Sequence, residues 1–245
     1  MEAIYITHSG NDVLVVNAAR ASFGKFKPLD SELTPSDVNL IQYLARGIRT
    51  SEYEALLEQV VNCTSTEEAG RILKQFRRTP THWAPFGHPH ITLQEKMPIF
   101  VARQRYKHMV GLVYSEESRR YVDSLPETYQ FDLIRQRPEK DIKQGSGQAH
   151  PDSTQLNQAM VDFTQSSISL YQDLIEKRVA PEQARAILTQ NAEITCIVTG
   201  SLFAFANSYI QRSDAHAQIE IQELAKKWDV IIRPLFPVSW PALVD

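Results

Sequence analysis

The chain has 245 residues, with 26 Lys+Arg against 29 Asp+Glu and a formal net charge of −3 at pH 7. A hydrophobic fraction of 42% beside 22% charged residues excludes disorder as the main state, and the near-neutral balance argues against a general nucleic-acid binder, which carries a basic excess or stripe. A chain of this length buries roughly 70–75% of the surface that its unfolded form exposes and needs neither disulfides nor a structural metal; Cys63 and Cys196 have no framework spacing, so a reducing cytoplasm is expected.

The first ten residues lack the basic start and apolar stretch of a secretion signal, so export is not expected. Ala3, Tyr5 and Thr7 alternate with Ile4 and Ile6 as in a half-buried strand, and Val13 to Val16 gives a second strand signal. Thr34-Pro-Ser-Asp37 then supplies a cap residue, a proline at the first helical position and an acid three residues on, ahead of Val38, Ile41 and Leu44 at helical spacing. Gly47 ends that helix. Residues 51–79 read as a helical insertion, with Tyr53, Leu56, Leu57 and Val60 lining one helix and Ile72, Leu73 and Phe76 the next.

His90 to Met97 alternates as a strand in which Glu95 takes an inward position, and Pro98 can start a helix running through Tyr106. Residues 138–152, rich in Gly, Ser, Gln and charge, predict a mobile surface loop. Leu156, Met160, Phe163, Tyr171 and Leu174 mark a long helix of core or interface type, and Pro181 starts another. The uncharged run Ile194–Gln211 is interrupted by Thr, Ser, Gly and Asn, too polar for a membrane span, and reads as a buried helix; a last one is predicted from Asp214. The expected fold is α+β: a helix-rich single domain, 1–245, around a modest mixed β-sheet.

The densest reactive cluster runs from Arg103 to Tyr121, with five Lys or Arg, one His and two acids. Guanidinium groups can grip phosphate in bidentate fashion, so an anionic small ligand suits this local positive focus; a solvated basic helix face is the plainer alternative. His88-Pro-His90 has too few partners for a metal site and reads as local hydrogen bonding, while Trp83 and Phe86 read as packing.

Pro98-Ile-Phe-Val-Ala-Arg-Gln104, Lys107-His108 and Ser115-Glu-Glu-Ser-Arg-Arg-Tyr121 together resemble the signature of the flavin-dependent thymidylate synthases. Asn17-Ala-Ala-Arg-Ala-Ser-Phe-Gly-Lys25 looks like the family's N-terminal strand and turn, Trp83-Ala-Pro-Phe-Gly-His88 like the stretch before its central strand, and Arg212-Ser-Asp-Ala-His-Ala-Gln218 like its late helix start. The resemblance spans well over half the chain, in order, and leaves out 51–79 and 138–152.

It implies a homotetramer with flavin sites built between subunits. The chemistry it implies converts dUMP to dTMP with FAD as cofactor, 5,10-methylenetetrahydrofolate as carbon donor and NADPH as reductant, and no cysteine nucleophile. No nucleic-acid or membrane partner is expected. Carried over residue by residue, Gln104, Arg105, Tyr106, Lys107, Glu116, Glu117, Ser118, Arg119 and Arg120 fall on the nucleotide side, with Ser118 near the reactive carbon and the arginines around the phosphate. Ser22, Lys107, His108, Met109, Glu116, Arg212 and His216 fall on the flavin side; His216 is expected in the first turn of the late helix, where backbone N–H groups favour an anion.

The chain departs from the family pattern at Lys107-His108-Met109 in place of Arg-His-Arg, at Ser115, and at Gln222, which aligns with an arginine credited with polarising the pyrimidine. Lysine keeps charge but loses the planar fork, and Met109 has no charge. Two alternatives follow: a relative that methylates or hydroxymethylates C5 of another uracil nucleotide such as UMP, and a decayed nucleotide- or flavin-binding module.

Overall fold

The computed structural model of the chain describes residues 1–48, 50–76, 82–122, 124–138 and 145–245. In chain order its elements are β1 (Glu2–Ser9), α1 (Asp12–Arg20), α2 (Pro35–Arg46), α3 (Thr50–Asn62), α4 (Thr66–Phe76), β2 (His90–Pro98), α5 (Ile99–Arg105), β3 (Leu112–Glu116), α6 (Ser153–Glu176), α7 (Pro181–Ala184), β4 (Glu193–Ser201), α8 (Leu202–Arg212), α9 (Ile219–Leu235) and α10 (Ser239–Val244). This is the expected helix-rich α+β architecture, with one four-stranded sheet in the order β1-β2-β4-β3. Among the described residues no helix is long and apolar enough to cross a membrane.

The chain divides into two compact units. The first comprises Met1–Ile6, Thr92–Thr199 and Ser208–Trp228. Within it β2 and β4 pair antiparallel: Ile99 N–H donates to Ala192 O at 3.0 Å, and the Thr92 and Thr199 hydroxyls meet at 3.0 Å. That register sets Glu95 opposite Cys196. The inward positions of both strands, Leu93, Glu95, Met97, Ile194, Cys196 and Val198, are buried, and the first part of α9 adds Ile221, Leu224 and Trp228 to the same core. Burying these groups supplies the main drive for the unit to fold.

The second unit comprises Thr7–Ile91, Gly200–Asn207 and Asp229–Asp245. Here Thr34 and Asp37 form a reciprocal cap on α2, each side chain taking a backbone N–H from the other. The buried Asp37 carboxylate also binds Arg20 at 2.7 Å and Lys27. Asp12 accepts from the N–H groups of Val238 and Ser239 at 2.9 and 3.0 Å, supplying acceptors to the start of α10.

Three local expectations are corrected. Val13 to Val16 is helix, not strand, because the Asn11 side chain accepts from Leu14 N and starts α1 one residue before the apolar run. The family-like segment 17–25 accordingly runs from the end of α1 through a 3₁₀ turn, Ala21–Phe23. Ile194–Gln211 is a strand then a helix, β4 followed by α8: its first half alternates buried with less buried residues. The helix predicted from Asp214 begins at Ile219. The helices expected in 51–79 are α3 and α4, with 77–79 outside the described residues. The stretch expected to be mobile also lies in part, 139–144, outside them; its flanks pair, with Gln136 N–H on Gln148 O and His150 N–H on Ile134 O.

Candidate active site

The basic segment begins where β2 turns into α5. Arg105, expected among the nucleotide contacts, is wholly buried in the first unit and cannot reach a ligand. Its Nε and Nη2 donate to the two carboxylate oxygens of Glu95 at 2.9 and 3.0 Å, and Nη1 donates to the Tyr114 hydroxyl at 3.0 Å. Burial of the cation is offset by the Glu95 carboxylate, which holds Arg105 charged. Tyr114 in turn donates to the His108 carbonyl at 2.7 Å. Thus the polar residue at an inward strand position, Glu95, finds its partner ten residues on.

From α8, Arg212 meets the same turn on its other side. Its Nε donates to His108 Nε2 at 2.8 Å and its Nη2 to the Gln104 carbonyl at 3.0 Å. A guanidinium can only donate, so Nε2 offers its lone pair and the ring proton sits on Nδ1. Burial, with Arg212 and Arg105 nearby, pushes the His108 pKa down to about 4, which keeps the ring neutral at physiological pH. The Gln104 side-chain amide donates to Gln218 at 2.5 Å. Lys107 is exposed and Met109 is 73% exposed, so the segment presents a cation, a neutral imidazole and an apolar side chain in succession.

Beyond β3, Glu117 N–H donates to Thr195 O at 2.8 Å and carries the strand pairing into the motif. Tyr106, half-buried, lies beside the Cys196 thiol and the Glu116 carboxylate; burial and these two neighbours raise its pKa well above the phenol range. Ser118 Oγ accepts from Arg120 Nε at 3.2 Å, whereas Arg119 is spent on the Ser124 carbonyl at 2.5 Å and lies 3.8 Å from Glu117. Burial pushes the Cys196 thiol up to about 12, a protonated group without nucleophilic character.

His216 precedes α9 rather than occupying its first turn; it is exposed, with its N–H and Nδ1 on Asp214 at 2.8 and 3.0 Å. It lines a cleft of about 540 Å³ together with Arg135, Arg137, Gly145 and Ser146. Gly145 has a φ of 89°, and a side chain at Gly147 would begin 2.7 Å from the Arg137 carbonyl, so both glycines are needed for the loop to turn here. Nothing in the periodicity pointed to Arg135 and Arg137; the Gly-Ser-Gly run was the one available signal. Gln222, on α9, donates to the Ala217 carbonyl at 2.8 Å.

In the second unit, Ser22 is exposed on the 3₁₀ turn after α1. That turn is clamped by Asn17, whose side chain donates to Lys27 O at 2.7 Å and accepts from Lys27 N at 2.9 Å.

A family model described as thymidylate synthase complementing protein matches residues 5–238. The flavin-dependent thymidylate synthase of Thermosipho africanus is 31% identical over 239 residues, 96% of this chain and 87% of that protein. The one from Kosmotoga olearia is 32% identical over 185 residues, covering 74% and 79%. Among solved structures, the UMP/dUMP methylase PolB from Streptomyces cacaoi bound with 5-Br dUMP matches with a TM-score of 0.76 at 23% identity, over 98% of this chain and 93% of that one. The same protein bound with 5-Br UMP matches with a TM-score of 0.72.

Proposed function

We propose that this chain, which belongs to the thymidylate synthase complementing protein family, methylates C5 of dUMP in a flavin-dependent reaction, with methylenetetrahydrofolate as carbon donor and NADPH as reductant. The observation that carries the proposal is the turn 104–108, held by Arg212 on one side and Tyr114 on the other, with the neutral imidazole of His108 at its end. Such a turn orients groups before a ligand arrives, and preorganised donors act where charge develops.

The donor set suits a flavin and a nucleotide. Arg212 with His108, and His216 beside the arginine-lined cleft, are N–H donors matched to carbonyl and phosphate oxygens. When bound, reduced flavin supplies the hydride that completes the new methyl group. The chain's own residues bind and orient. Exposed Arg120 takes the nucleotide phosphate, and Gln104 and Glu116 border the uracil. Ser118, whose oxygen accepts from a guanidinium rather than giving its proton to a base, acts as a positioning donor. No cysteine is asked to attack the ring, which agrees with the raised pKa of Cys196.

UMP is the second candidate substrate, favoured by the likeness of fold to a UMP/dUMP methylase. Methylation at C5 expels the C5 hydrogen, so tritium release from C5-labelled dUMP and UMP, with FAD, NADPH and methylenetetrahydrofolate supplied, tests both. Release from dUMP is expected. Release from UMP alone would change the substrate, and silence with both would favour a binding module that has lost its chemistry.

A further inference from the structure

A buried ion pair is a costly way to fill a core, since apolar side chains of similar volume often serve as well or better. Stability is therefore a weak reason for Glu95 and Arg105, both of them fully buried. Their surroundings give a stronger one. The guanidinium, fixed on Glu95 along one edge, lies 4.3 Å over the Trp228 ring and passes its remaining edge to Tyr114. The single phenolic proton then falls on the shorter of two contacts, the His108 carbonyl at 2.7 Å, with the Arg105 carbonyl at 3.2 Å.

Resting on the function proposed above, we infer that the Glu95–Arg105 pair is a positioning device for His108. Through Tyr114 it fixes the peptide that carries the ring, so that Nε2 stays in register with Arg212 and Nδ1 bears the proton as the donor offered to the flavin. The two sides of the turn need each other. Arg212 grips the ring and the Gln104 carbonyl but does not touch the His108 carbonyl, and Tyr114 holds that carbonyl but not the ring. Two cations flanking one imidazole also oppose its protonation. The hydrogen-bonding role of the ring is thereby set from within the core.

Two variants test it. Tyr114→Phe keeps the ring and deletes only the hydroxyl; the double variant Glu95→Leu, Arg105→Met exchanges the pair for apolar groups of similar size. The titration and tautomer of His108 are read by NMR in ¹⁵N-histidine-labelled protein without added ligand, the resonance being assigned with His108→Asn. The wild-type ring should show one tautomer, protonated at Nδ1, and a pKa of about 4. In both variants the tautomer signals should average and the pKa rise toward the ordinary 6.5. Flavin dissociation constants should increase roughly fivefold or more, as for one lost hydrogen bond.

Folded variants with unchanged His108 signals overturn the proposal, as does a shifted ring with unaltered flavin affinity. A wild-type chain that takes up no flavin defeats the proposed function instead, and the ligand-free titration still decides whether the pair positions His108.

Discussion

Arg120 and Arg119 are neighbours with different circumstances. Arg119 is tied to the Ser124 carbonyl, while Arg120 is exposed, donates among the described residues to Ser118 Oγ and lies 5.0 Å from the Tyr121 ring. Arg120 is therefore the cation that can turn to a phosphate, and Arg120→Ala should weaken nucleotide binding by about tenfold or more, the scale of a charge-assisted hydrogen bond, with flavin binding little changed. Titration of each ligand separately checks this; equal loss of both would contradict the assignment. Ser118→Ala should keep measurable turnover if the hydroxyl positions the uracil, whereas complete loss with intact binding would mean a direct chemical role. Residues with local motif signatures were legible in the sequence: Gln104, His108, Ser118 and Arg212 fall in one unit, and Arg212 touches both Gln104 and His108. Arg105 was not, because a basic residue inside a basic run gives no sign of burial until its partner on the preceding strand is known.

At the level of elements, α2 was readable to the residue because its start signals are local. Thr34 and Asp37 cap each other, and Pro35 needs no hydrogen bond at the first helical position. Thr34→Ala should cost about 1 kcal/mol in denaturant unfolding. Asp37→Ala should cost about 3 kcal/mol or more, since it leaves the buried side of Arg20 and Lys27 without their carboxylate. Burial alone would raise the Asp37 pKa, but Lys27, Thr34 and Arg20 outweigh it and hold it well below the usual carboxylate range. A folded pKa below the unfolded one gives stability that is complete above the unfolded value of about 3.9 and is lost as pH falls below it. Acid unfolding of Asp37→Asn should thus be shallower below about pH 4 than that of the wild type, and parallel curves would mean that the pair is not coupled to folding. Elements set by distant pairing were harder to read. Val13–Val16 and Ile194–Ser201 are both short apolar runs; a side-chain cap made the first a helix, and pairing with β2 made the second a strand. β3, hidden in the basic cluster, gave no alternation to recognise.

For the molecule as a whole, each compact unit is assembled from three separate stretches of chain, which is why no linker in the sequence marks a boundary between them. The long helix α6 raises the last question. Leu156, Met160, Phe163 and Leu170 are 39%, 43%, 70% and 50% exposed and recur at helical spacing, and several border a cavity of about 650 Å³ with Phe100 and Phe131. An apolar stripe left in water on a chain with net charge of only −3 favours self-association. The homotetramer implied by the family resemblance would cover it. Light scattering should then give a mass near four chains of 27.9 kDa each, and Phe163→Glu should shift the population to smaller species, because a carboxylate cannot be buried unpaired in such a contact. If flavin sites are built between subunits, the same variant should lose flavin in step with mass, although Phe163 lies outside the set of residues assigned to the cofactor. A Phe163→Glu protein that stays assembled would remove this stripe from the interface, and one that dissociates while keeping its flavin would place the cofactor site within a single chain.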